Sequence, residues 1–79
     1  MTSIRLNGQD HPLAAGATIT TLVSALTGRK IDDGGKAADG GRLGVAVALN
    51  ADIVPRSRWS ATALQSGDDV EIVTAVQGG

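Results

Sequence analysis

The chain has 79 residues, a formal charge of −1, a single aromatic residue, Trp59, and no cysteine. This length permits one small domain with a modest aliphatic core and little room for a buried cofactor pocket. Both signs of charge are scattered, so there is no basic stripe for nucleic acid; no apolar run nears the roughly 20 residues that cross a bilayer, and disulfides and thiolate metal sites are excluded.

The opening Met1-Thr2-Ser3-Ile4-Arg5 lacks the charged-then-apolar layout of a signal peptide and reads at once as a strand, so a cytoplasmic protein is expected. Ile4-Arg5-Leu6 alternates, and Asn7-Gly8 is a type I′ hairpin signal. The return segment, Gln9 to Leu13, contains Pro12, which cannot donate to a ladder and therefore belongs at a sheet edge. Residues 14–17 connect to a helix capped by Thr18, with Ile19, Leu22, Val23 and Leu26 on one apolar face and Gly28 in the position of a C′ glycine.

Residues 29–44 hold five glycines and balanced charges, with Ile31 and Leu43 the sizeable apolar groups. A loop this long in a compact domain is functional or mobile, and mobility is expected. Neither Gly34-Gly35 nor Gly40-Gly41 runs from a strand into a helix with a following lysine, so neither reads as a phosphate cradle. Val45–Leu49 is a strand with large side chains on one face and alanines on the other. A turn at Asn50-Ala51-Asp52 leads to a short strand at Ile53-Val54, ended by Pro55. Residues 56–63 read as a turn or a single 3₁₀ turn carrying Trp59, and Gly67-Asp68 as another turn. Val70 to Val76 closes the fold, with Val70, Ile72 and Thr74 on one side and Glu71, Val73 and Ala75 on the other. The order predicts an α+β, β-grasp domain over 1–79: a mixed sheet of four to five strands packed on one helix, its first and last strands central.

The sequence ends at Gly78-Gly79, preceded by Val76-Gln77. Glycines without Cβ atoms leave the last carbonyl open to attack and fit a narrow channel. A carboxylate resists nucleophiles, and conversion to an acyl-adenylate supplies a leaving group. With no cysteine in the chain, no thiol side chain of its own is present to divert the activated group.

Ile4-Arg5-Leu6-Asn7-Gly8, the helix, Val45-Ala46-Val47-Ala48-Leu49-Asn50, Val54-Pro55-Arg56-Ser57-Arg58-Trp59, Gly67-Asp68 and the final Val70 to Gly79 run together resemble the ThiS sulfur carriers of thiamine biosynthesis. The resemblance covers most of the chain, and its most specific parts are Val-Pro-Arg-Ser and the terminal Val-Gln-Gly-Gly. The 29–44 stretch is longer than that family leads one to expect. The resemblance implies a ubiquitin-like co-substrate that is not an enzyme, monomeric when free, with a flexible tail at 76–79 and no bound cofactor or metal. A ThiF-like enzyme would adenylate Gly79 with ATP. A cysteine desulfurase or other sulfur donor would convert it to a thiocarboxylate, and thiazole synthase would take the sulfur.

Gly79 and Gly78 are thus the expected sulfur-carrying end, with Gln77 and Val76 as its stem. If Val70 and Ile72 face the helix, then Ala46, Ala48, Val73 and Ala75 form a flat apolar face for partners. Arg56 and Arg58 are a solvated rim or a partner contact, and Trp59 covers the core or anchors a partner. His11 has no second histidine and is not expected to bind metal, and Asp68, Asp69 and Glu71 do not form an acid–base pair. Other readings stay open: a MoaD-like carrier for molybdopterin synthesis or another sulfur pathway, a protein modifier joined to lysines, or a plain binding module.

Overall fold

The computed structural model describes residues 2–38 and 44–74. The expectations for Ala75, Val76, Gln77, Gly78 and Gly79, and for 39–43 within the long loop, lie outside the described residues. Strands β1 (Thr2–Leu6), β2 (Gln9–Leu13), β3 (Val45–Leu49), β4 (Asp52–Val54) and β5 (Asp69–Thr74) form one sheet in the order β2-β1-β5-β3-β4. The β1–β5 pair is parallel and the others are antiparallel. The first and last strands are therefore interior, as the sequence predicts. Pro12 sits on edge strand β2 opposite Ser3, and Pro55 follows edge strand β4.

Two tight turns set the registers. Leu6 pairs with Gln9 across Asn7-Gly8, whose φ values of 50° and 84° are those of a type I′ turn. Leu49 pairs with Asp52 across Asn50-Ala51 in the same way, at 50° and 74°.

The helix α1 (Ile19–Thr27) begins with a reciprocal cap: the Thr18 hydroxyl accepts from the Thr21 amide, and the Thr21 hydroxyl accepts from the Thr18 amide. It ends at Gly28, left-handed at φ 70°, whose N–H donates to the Ser24 carbonyl at 2.9 Å. Ile19, Leu22 and Val23 are fully buried. Leu26, expected on the same face, is 47% exposed, because it lies in the last turn and falls outside the core cluster that takes in the first two. That cluster joins the helix to Ile4, Val45, Val47 and Val70 of the sheet, and Trp59 and Leu64 fill its end. Leu64 is seated by a short pairing that sequence reasoning missed. Its N–H donates to the Ala17 carbonyl, and the Ile19 N–H, one of the helix's orphan donors, finds the Thr62 carbonyl.

The stretch expected to be a mobile loop is organised over 30–38. Asp32 folds it: its carboxylate accepts from the Gly34 and Lys36 amides, and its own N–H donates to the Lys36 carbonyl. Ile31 and Ala37 bridge as antiparallel partners, and Ala37 enters the core at 5% exposure. The Ser60 hydroxyl donates to the Asp33 carbonyl, fastening this small hairpin to the 3₁₀ helix Arg56–Ala61.

Candidate functional site: the open sheet face and the root of the tail

The strand alternation that buries Val45, Val47 and Val70 turns Ala46, Ala48 and Val73 away from the helix. Ala46 is exposed, Ala48 is half-buried, and Val73 is 63% exposed. Ala46 is the register partner of Val73, and Ala48 lies between Glu71 and Ile53. The face expected for partners is thus assembled as far as Val73. Ile53, 74% exposed, extends it across β3 and was not foreseen. A three-residue strand carries no readable period; the available signal was Val54 before Pro55, which forces its neighbour outward once Val54 packs inward.

At the end of this face a shallow depression is lined by Gly44, Val45, Ala46, Arg56 and Val73. It adjoins the last described residue, Thr74, which pairs with Val45. Residues 75–79 follow in the chain from this place.

The Val54–Trp59 segment divides into three roles. Trp59 is 1% exposed and its indole Nε1–H donates to the Val54 carbonyl at 3.0 Å. Of the two roles the sequence leaves open for it, covering the core or anchoring a partner, the burial fits the first: a ring with so little accessible surface offers a partner almost nothing in this conformation. Arg58 is exposed. Arg56 is half-buried, with its guanidinium 5.8 Å from the Trp59 ring centroid and Nη2 donating to the Val45 carbonyl at 3.3 Å. It is part of the fold as well as its rim.

The Asp68 carboxylate has a structural duty. Asp68 accepts from the Gln65 amide at 2.8 Å and from the Asn50 side chain at 3.2 Å. Asn50 in turn accepts from the Asp69 amide at 2.9 Å, so these groups tie the β3–β4 turn to the start of β5. His11 is half-buried on β2 opposite Ile4. Among the described residues no group of three metal-ligating side chains converges, and no helix is long and apolar enough to cross a membrane.

A mixed five-stranded sheet with its first and last strands parallel at the centre, packed on one helix, defines a ubiquitin-like β-grasp domain. The ThiS family model matches residues 4–79. The chain belongs to the ThiS family. It is 32% identical over 76 residues to the sulfur carrier protein ThiS of Escherichia coli (strain K12), covering 96% of this chain and 97% of that protein. It is also similar to the thiamine biosynthesis protein ThiS of Geobacter metallireducens at 28% identity. The crystal structure of that protein superposes with a TM-score of 0.68 over 99% of this chain and 100% of the other. Its solution structure gives 0.69, with 99% and 88% covered.

Proposed function

We propose that this protein is a sulfur carrier for thiazole formation in thiamine biosynthesis, loaded at Gly79. The observation that carries the reading is the family match, which runs to residue 79 and so takes in the glycine tail. The names of its relatives, a sulfur carrier and a thiamine biosynthesis protein, support the same pathway.

In this reading the protein is a co-substrate, and its partners do the chemistry. A ThiF-like enzyme lets the Gly79 carboxylate attack the α-phosphorus of ATP, releasing pyrophosphate and leaving an acyl-adenylate. The terminal sulfur of a cysteine desulfurase persulfide, or of another donor of that class, displaces AMP to give an acyl disulfide. A second thiol then cleaves its S–S bond, forming a disulfide with the donor cysteine and releasing the thiocarboxylate that thiazole synthase consumes. Splitting one difficult substitution into two with good leaving groups is what makes the oxygen-for-sulfur exchange feasible. The reading keeps the cytoplasmic location expected from the sequence, where ATP is at hand.

The body's role is to present the tail. Ala46, Ala48, Val73 and Ile53 form a flat apolar face whose small alanines let a partner surface approach closely, with exposed Arg58 available at the rim. The activating enzyme and thiazole synthase use this face in turn, each receiving Val76, Gln77, Gly78 and Gly79 in its active site.

The test is intact mass spectrometry after incubation with ATP, the activating enzyme and a sulfur source. One oxygen exchanged for sulfur is expected at Gly79, and none in a chain lacking Gly79. An unchanged mass for the full chain would overturn the reading.

A further inference from the structure

The peptide unit between Val45 and Ala46 is gripped from both sides. The Asn50 N–H donates to the Asp69 carbonyl at 2.7 Å, which fixes the alternation of the β3–β5 ladder. Ala48 and Ala46 then direct their backbone polar groups to β5, while Val45, Val47 and Leu49 direct theirs to β4. On the β4 side the ladder stops early, because Val54 pairs with Val47 and Pro55 follows. The Val45 carbonyl faces that side beyond the end of β4. Arg56, two residues past the strand end, supplies the missing donor through Nη2 at 3.3 Å. Its side chain lengthens β4 by one rung.

That rung lies where the chain passes into the tail. The N–H of the same peptide unit belongs to Ala46, whose ladder partner is Val73, and the next register pair is Val45 with Thr74. A cation on the carbonyl polarises the peptide and strengthens the bond made by its N–H. Arg56 is itself held from behind. Gly35 has φ 79°, and a Cβ there would overlap the Arg56 Cβ and stand 2.5 Å from its carbonyl oxygen. The 30–38 hairpin thus passes close against Arg56, where only a glycine fits, while the guanidinium lies over Trp59.

We propose that Arg56 is a positioning residue for the tail: it fixes the end of the sheet from which residues 75–79 continue, so that Gly79 enters a partner's site in one orientation. This rests on the sulfur-carrier reading for its purpose, but not for its structural content. A carrier docked by the Ala46–Val73 face delivers its terminus through five further residues, and looseness at their root is carried to the reacting carbon. Misplacement of about 1 Å costs on the order of 100-fold where geometry limits a reaction, and a loosened root should cost about 10-fold.

The experiment compares wild type with Arg56→Met, Arg56→Lys, Gly35→Ala and, as an exposed control, Arg58→Met. Amide hydrogen exchange is measured on the isolated protein, and kcat and KM for thiocarboxylate formation are measured with the activating enzyme. In Arg56→Met the Ala46 and Val73 amides should lose at least about 10-fold of their protection, while Val23 in the helix keeps its own. kcat should fall about 10-fold at near-constant KM. Arg56→Lys, which keeps a charged donor, should recover part of both. Gly35→Ala should reproduce the exchange pattern without altering a charge, and Arg58→Met should not.

Unchanged protection at Ala46 and Val73 in Arg56→Met would overturn the proposal. So would a raised KM with unchanged kcat, which would make Arg56 a partner contact. Absence of thiocarboxylate in the wild type overturns the sulfur-carrier reading instead, and the exchange comparison still decides the brace.

Discussion

Ala46 and Val73 stand opposite one another on β3 and β5 and point away from the helix, at the end of the sheet that leads into the tail. Their pairing places apolar surface beside the segment that reacts in the proposed function. Val73→Asp puts a carboxylate on that surface, two residues from Glu71 on the same face of β5. At 63% exposure the side chain supports little of the core, so the stability loss should stay near 1 kcal/mol. Thiocarboxylate formation should fall by at least about 10-fold, as expected when an apolar side chain buried by a partner is replaced by a charge. Ala48→Asp should do the same from the neighbouring strand. Initial rates and a urea midpoint on the same samples check both statements, and turnover equal to wild type would remove this face from the docking surface.

Asn7 serves as a surrogate peptide for β5. Its side-chain oxygen accepts from the Ile72 N–H at 2.9 Å, and its Nδ2 donates to the Ile72 carbonyl at 3.3 Å. The β1–β5 ladder, which pairs Arg5 with Asp69 and Leu6 with Val70, is thereby continued past the end of β1. Asn7→Gly keeps the positive φ that the hairpin needs and deletes both bonds. A loss of about 1–2 kcal/mol is expected, with faster exchange at the Ile72 amide. If the unfolding midpoint and that amide are unmoved, the bridge contributes nothing.

These residues also show what the sequence makes legible. Asn7-Gly8, Thr18 and Gly28 act through their own backbone geometry, so their types announce the turn, the cap and the helix end. Pro12 announces an edge for the same reason. The alternation in β3 separates core from open face without further help. By contrast, the 30–38 hairpin depends on one carboxylate finding two amides and on a buried alanine, Ala37, whose type carries no periodic signal. Glycine-rich composition hid it. Leu26 satisfies the helical period yet stays half in solvent, because periodicity shows direction and not how far the core extends. Arg56 reads as a surface cation until the early end of β4 shows which carbonyl it meets.

Trp59 reports directly on the distinction between core and partner surface, since it is the sole tryptophan in a chain with no tyrosine or phenylalanine. Its native emission should be blue-shifted and move red on unfolding. Trp59→Ala should cost about 3–5 kcal/mol through the cavity it leaves. Trp59→Phe keeps most of the ring volume but loses the donor to Val54, at about 1–3 kcal/mol. A Trp59→Phe protein as stable as wild type but with a raised KM would return the residue to the partner surface.

At Ala51 the fold works against its sequence. The β3–β4 turn requires positive φ at both central residues; asparagine tolerates this at Asn50, but Ala51 sits at 74° with a Cβ. Left-handed backbone costs a non-glycine residue about 1–2 kcal/mol, and type I′ turns favour Asn-Gly for that reason. Ala51→Gly removes the strain but enlarges the unfolded ensemble by about 0.4–1 kcal/mol. The balance leaves a gain of about 0.5–1 kcal/mol, or roughly 4 °C in Tm for a domain of this size. Asn50 keeps its bonds to Asp68 and Asp69 throughout, so the gain belongs to the backbone alone. Calorimetry on the single variant tests it, and a lower Tm would mean that the unfolded-state entropy outweighs the relief of strain.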